Sequence, residues 1–184
     1  MRRRHQSDPT ARPHSPPAIV VMGVTGSGKT VVGGALAEAI GALYVEGDQL
    51  HPPENIARMA SGLPLTDAHR EGWLDTIGER IAAAGAQGRG VVAACSALKR
   101  IYRDRLRRAS PGLVFVYLAV DPATARLRVG SRKGHFMPAS LVESQFAILE
   151  PPEADERALV LDASRPLGDL VDDAAHYVRG VAAA

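Results

Sequence analysis

Five short apolar runs punctuate the chain: Ile19–Met22, Ala42–Val45, Val91–Cys95, Leu113–Val120 and Leu159–Ala163. They are rich in Val, Leu and Ile and show little polar alternation, the pattern of strands covered on both faces. Between them lie longer stretches, Val31–Ile40, Asp67–Ala84, Leu98–Ala109 and Pro122–Gly130, that read as helices. Boundary residues agree. Asp121-Pro122 pairs an N-cap acceptor with a residue whose missing N–H costs nothing in the first turn. Gly41 stops the first helix, Thr66 or Asp67 caps the next, Gly85 ends it, and Ser96 caps the one after the third run. This alternation predicts an α/β fold of three layers, a parallel sheet of about five strands flanked by helices. With no internal repeat and no second core, residues 18–184 form one domain.

Composition sharpens the picture at two points. The lone cysteine cannot form an internal disulfide, which favours a reducing, cytoplasmic setting, and no apolar run approaches the ~20 residues that span a bilayer. Residues 1–17 hold four arginines, one acid and four prolines but no apolar stretch. They read as a disordered basic tail, not a secretory signal. Without it the chain has 22 − 4 = 18 basic and 20 − 1 = 19 acidic residues, a balance of −1. A basic tail on a near-neutral domain argues against a nucleic-acid partner.

The most specific motif is Gly23-Val24-Thr25-Gly26-Ser27-Gly28-Lys29-Thr30, a full GxxxxGK[ST] with an apolar run before it and a helical stretch after it. Such a loop turns backbone N–H groups inward around the phosphates of ATP, and the following helix adds its positive end. Lys29 would reach the β- and γ-oxygens, and the Thr30 hydroxyl would ligate Mg²⁺. Motor and switch NTPases place an acid after a later apolar strand, but Val91–Cys95 runs into Ser96. The acid instead follows the second run, at Glu46-Gly47-Asp48. That placement suits a small-molecule kinase, with a carboxylate orienting or deprotonating an acceptor hydroxyl.

Acceptor-side candidates cluster after Asp48. His51 and Asn55 lie before or within a short helix begun by Pro52-Pro53, with Asn55–Met59 and Glu54–Arg58 as i,i+4 pairs. Lys99 and Arg100 open the next helix against its dipole, which hints at an anionic partner. Arg103, Arg105, Arg107 and Arg108 read as a solvated face. Arg128 and Arg132 are i,i+4 and bracketed by Gly130 and Gly134, as in a lid over about residues 128–140 that would exclude water.

The segments GVTGSGKT, EGDQLHPPENIARMASGLPLTD, CSALKRIYRDRLR and RKGHFMPASLVESQFAILEPPEADE, in this order, resemble the small P-loop gluconokinases from about Ile19 to Leu170. The resemblance implies a P-loop kinase fold, ATP-dependent phosphorylation of the 6-hydroxyl of D-gluconate, Mg²⁺ and a homodimer. It carries Gly23–Thr30 onto the phosphate loop, and Asp48, His51, Asn55 and Arg58 onto the acceptor segment. Lys99 and Arg100 fall on the SALKR run, and Arg128, Arg132 and His135 on the lid. Gln145 and Glu150 match family positions without an evident role. Asp48 then takes the hydroxyl proton while Lys29, Mg²⁺, Arg128 and Arg132 neutralise the phosphoryl group, and Arg58, Lys99 and Arg100 are the candidates for the gluconate carboxylate. Two departures are visible: His69 stands where the family has a second acid, and Arg58 where lysine is common. Outside the resemblance, the residues also fit a P-loop kinase of another small acceptor, such as shikimate or a nucleoside monophosphate. A nucleotide-gated nucleic-acid binder built on the arginine-rich helix is a further alternative.

Overall fold

The computed structural model describes residues 17–131 and 140–183. In chain order they form β1 (Ala18–Met22), α1 (Lys29–Ile40), β2 (Leu43–Glu46), α2 (Pro53–Ala60), α3 (Asp67–Ala86) and β3 (Val91–Ala94). There follow α4 (Arg100–Ala109), β4 (Val114–Ala119), α5 (Pro122–Gly130), α6 (Ser140–Ile148), β5 (Ala158–Asp162) and α7 (Leu167–Ala183). A 3-10 turn at Gly47–Leu50 joins β2 to α2.

All four strand pairings are parallel, in the order β2-β3-β1-β4-β5. β1 therefore lies at the centre, where its two neighbours follow it at different points in the chain. Ligands of open parallel sheets bind beyond the carboxyl ends of strands at such a switch point. The register begins earlier than the apolar run suggests, because Val91 N donates to the Pro17 carbonyl at 2.9 Å.

Alternation along the strands feeds two cores. Val20, Met22, Ala93 and Phe115 face α3 and α4, meeting Trp73, Ile77, Ile81, Tyr102 and Leu106. Ile19, Val21, Val92 and Val116 face α1 and α7, meeting Val32, Leu36, Leu170, Ala174 and Val178. Each fully buried large apolar side chain contributes about 1.5–3 kcal/mol. The central strands thus have the two-sided burial that their composition implies. The edge strands do not: Tyr44 on β2 is 36% exposed and Val160 on β5 is 56% exposed. Each has one strand neighbour and only partial helix cover.

Helix ends follow the expected chemistry with two exceptions. Gly41 adopts a left-handed φ of 66° after α1, Thr66 caps α3, and the Asp121 side chain accepts from Thr124 N at 2.9 Å. Gly85 does not end α3, which continues to Ala86. Ser96 does not cap α4; Lys99 is the N-cap and offers no side-chain bond. The Glu150 carboxylate supplies it instead, Oε2 accepting from Arg100 N at 2.7 Å. Of the arginines of α4 read as a solvated face, Arg108 is exposed, but the other three are not. Arg103 is fully buried, in a two-bond ion pair with Glu156. Arg105 pairs with Asp75, and Arg107 with Asp104 and Glu156.

Candidate active site

β1 delivers the phosphate loop to the centre of the sheet edge. Gly26 has a φ of +81°, and a Cβ there would lie 2.7 Å from the Ala125 carbonyl oxygen, so both conformation and space demand glycine. Gly28 caps α1 without a side-chain bond, which leaves the first amides of that helix uncapped by any side chain. Ser27 Oγ is buried with no hydrogen-bond partner among the described residues. Uncapped amides and an orphaned hydroxyl together fit a phosphate group.

The loop is also held from outside. Thr25 N donates to Gln145 Oε1 of α6 at 2.7 Å, and Lys29 Nζ donates to the Val24 carbonyl at 2.9 Å. Arg128 reaches over from α5, its Nη1 3.4 Å from the Gly26 carbonyl and its Nη2 donating to the Ala163 carbonyl at 2.9 Å. Thr30 is exposed in the first turn of α1, open to a cation held by phosphates above the loop. No cluster of three or more metal-ligating side chains occurs among the described residues, so such a cation would depend on Thr30 and on the phosphates themselves.

The second wall is the turn after β2. A Cβ on Gly47 would overlap the Ala94 carbonyl oxygen of β3, so the turn packs backbone on backbone. Trp73 Nε1 donates to the Gly47 carbonyl at 2.7 Å and fixes the turn from α3. Asp48 follows, exposed, and lines one cleft with Thr25, Lys29, His51, Arg70, Ser96 and Gln145. Ser96 enters that cleft because Ala97, at φ 43°, turns the chain sharply out of β3.

His51 stacks on Trp73 with ring centroids 4.1 Å apart and planes 14° from parallel. Burial is the main cause that lowers its pKa from 6.5 to about 4; Asp48 opposes the shift and Arg70 adds to it. The ring is therefore neutral at neutral pH. Its tautomer follows from Asn55, buried on α2. Asn55 Nδ2 donates to the His69 carbonyl at 2.7 Å, which fixes the amide, and lies 3.4 Å from His51 Nδ1. With Nδ1 accepting, the ring proton sits on Nε2, making His51 a donor.

Not every residue singled out in the sequence reaches the cleft. Arg58 is not part of its wall; Arg58 Nε donates to the Pro64 carbonyl at 2.8 Å. Lys99 pairs with Asp67 at 2.8 Å, also outside the wall. Arg100 turns away to Asp155 (2.6 Å) and Glu153 (3.0 Å), so the anionic partner its position hints at is this chain's own carboxylates. Arg132 and His135, with most of the lid, lie outside the described residues, as does the tail up to residue 16.

Three residues acquire places that sequence reasoning did not give them. Glu150 caps α4 and Gln145 holds Thr25; neither partner is near in sequence, so no local pattern marks them. Arg70 had a signal. It lies on the buried stripe of α3 with Trp73, Leu74, Ile77, Ile81 and Ala84, and a cation in that series must face the interior. His69 completes a capping box, its Nδ1 accepting from Thr66 N at 3.2 Å, the bond a Glu at this position would make.

Comparison with known proteins agrees with this architecture. The family described as AAA domain matches residues 19–152. The gluconokinase of Gluconobacter oxydans (strain 621H) is 48% identical over 147 residues, covering 77% of this chain and 79% of its own. The thermoresistant gluconokinase of Escherichia coli (strain K12) is 42% identical over 153 residues, 83% of this chain and 87% of its own. The crystal structure of a gluconokinase from Sinorhizobium meliloti 1021 superposes with a TM-score of 0.82 at 48% identity, covering 91% of this chain and 94% of that one. With the phosphate loop at the head of β1 and likeness of this extent along nearly the whole described chain, the protein belongs to the gluconokinase family of P-loop kinases.

Proposed function

We propose that the protein transfers the γ-phosphate of ATP to the 6-hydroxyl of D-gluconate, giving 6-phospho-D-gluconate and ADP. The observation that carries this reading is the meeting of Lys29 and Asp48 in one cleft, between the tips of β1 and β2. The first belongs to a phosphate cradle and the second stands ready for a hydroxyl.

In this mechanism the amides around Gly26 and Gly28 hold the β- and γ-phosphates, and Lys29 exchanges the Val24 carbonyl for their oxygens. Asp48 accepts the proton of the 6-hydroxyl as that oxygen bonds to the γ-phosphorus and the bond to the ADP oxygen breaks. Neutral His51 donates from Nε2 to a sugar hydroxyl, and Arg128, already against the loop, adds positive charge on the donor side. In the same reading Arg132 adds charge beside Arg128 and His135 binds the acceptor, both outside the described residues. Thr30 would hold Mg²⁺ together with the phosphates, and the ion would supply further charge neutralisation when bound. Positioning and electrostatics then provide nearly all of the rate enhancement.

The test is ADP release with D-gluconate against glucose, with phosphorus NMR of the product. Gluconate stimulates release and yields a primary phosphate ester; equal release with both sugars overturns the reading. Asp48→Asn lowers kcat by roughly 10²–10⁴-fold with ATP affinity retained, and near-normal turnover removes Asp48 from the base role. The family reading also carries a homodimer, which light scattering on the full chain measures.

A further inference from the structure

We infer that Arg70 is the specificity residue that recognises the carboxylate of the acceptor, an assignment that rests on the gluconate reading above. The other cations near the acceptor side are paired or placed elsewhere: Lys99 is paired with Asp67, Arg100 with Asp155 and Glu153, and Arg58 is outside the cleft wall, its Nε on the Pro64 carbonyl. Arg70 differs in place and in pairing. It lines the cleft with Asp48 and His51, yet its residue is only 7% exposed.

Its protein partners do not neutralise it. Nη1 donates to the Leu65 carbonyl at 2.5 Å and lies 3.4 Å from the Tyr102 hydroxyl, both uncharged acceptors. No carboxylate lies within ion-pair distance of Arg70 among the described residues, and Nε and Nη2 have no hydrogen-bond partner there. The nearby Asp67 is engaged elsewhere, by Lys99 and by the Tyr102 hydroxyl. Burying a guanidinium without a counter-charge is strongly unfavourable unless an anion completes the site. Two free donors on one planar fork match the two oxygens of a carboxylate.

The remaining geometry gives the direction. Lys29 is the other cation in the described wall, and it belongs to the phosphate loop. In an aldonic acid the primary alcohol and the carboxylate are at opposite ends of the carbon chain. With the alcohol at Asp48, the acid end is left for the other charged side chain of the same wall, Arg70. His51, stacked on Trp73 in the same wall, meets hydroxyls of the chain.

The experiment compares D-gluconate with D-gluconamide, which keeps every hydroxyl and lacks the charge, in the full-length wild type and in Arg70→Gln and Arg70→Lys. The wild type prefers the acid by about a hundredfold in kcat/KM, the scale of a desolvated charged pair. In Arg70→Gln that preference shrinks to a few-fold while the KM for ATP is unchanged. Arg70→Lys, a point charge without the fork, falls between. A folded Arg70→Gln that keeps the preference overturns the assignment, as does a wild type indifferent to the charge. Arg58→Gln, Lys99→Gln and Arg100→Gln each keep the preference; its collapse in any of them overturns the assignment even if the Arg70 variants do not fold. Wild-type turnover of neither compound refutes the gluconate reading itself, and the assignment falls with it.

Discussion

Replacing Glu156 with glutamine preserves its volume and removes the charge against which Arg103 is buried. Both side chains are 1% exposed. Glu156 Oε2 accepts from Arg103 Nε at 2.7 Å and Arg107 Nη2 at 2.8 Å, while Oε1 accepts from Arg103 Nη2 at 2.7 Å and Glu153 N at 3.2 Å. Whichever way the amide is turned, its NH₂ faces two donors, and Arg103 loses half of its paired fork. Breaking a buried pair from one side destabilises by roughly 3–5 kcal/mol. For a chain of this length that lowers Tm by on the order of 10 °C. Thermal and urea unfolding of Glu156→Gln beside Arg165→Ala checks the magnitude, because the exposed Arg165–Asp173 pair should be worth under about 1 kcal/mol. An acid arm strengthens the test. Burial alone would raise the Glu156 carboxyl, but Arg103 and Arg107 outweigh it and hold the pKa at about 2, below its ordinary 4.5. Its stabilisation is therefore complete above pH 4.5 and is lost as pH falls toward 2, a dependence that the glutamine variant lacks. A Tm within about 3 °C of wild type would refute the reasoning. Arg103 also donates to the Ala97 and Glu150 carbonyls at 3.1 and 2.9 Å, so the loop that brings Ser96 to the cleft should loosen with it.

Two further outcomes follow from the site. Gly47→Ala forces a Cβ against the Ala94 carbonyl and shifts the turn that carries Asp48, so kcat/KM for gluconate falls about a hundredfold while nucleotide affinity holds; wild-type kinetics would show that the turn absorbs the methyl. His51, with a folded pKa of about 4 against 6.5, stays neutral where the unfolded chain takes up a proton. Stability therefore declines as pH drops from 6.5 toward 4, by up to about 1.4 kcal/mol per unit, and is independent of His51 above that window. The urea midpoint of His51→Gln should have a flatter pH dependence there, and parallel curves for the two proteins would refute it.

The five strands, the helices up to α5 and the phosphate loop were readable along the chain because each rests on local chemistry: apolar runs, a left-handed Gly41, a Thr66 cap, a proline after Asp121; α6 and α7 were not named. What was not readable depends on partners far away in sequence. Ser96 looks like a cap, but Glu150 takes that role from 50 residues on. Arg100 looks poised for a ligand, but residues 153 and 155 reach it first. Arg103 looks like a surface cation because nothing near it in the chain announces Glu156. Arg70 was legible in principle, from its place in an apolar stripe. Edge strands escape the two-sided reading because composition does not tell which strand ends a sheet.

The box at the start of α3 has a consequence for how His51 is held. An imidazole at position 69 closes the hydrogen bond to Thr66 with a lone pair instead of a carboxylate. Since Asn55 Nδ2 holds the carbonyl of that same residue and also meets His51 Nδ1, the capped end of α3 and the ring that lines the cleft are braced through one buried amide.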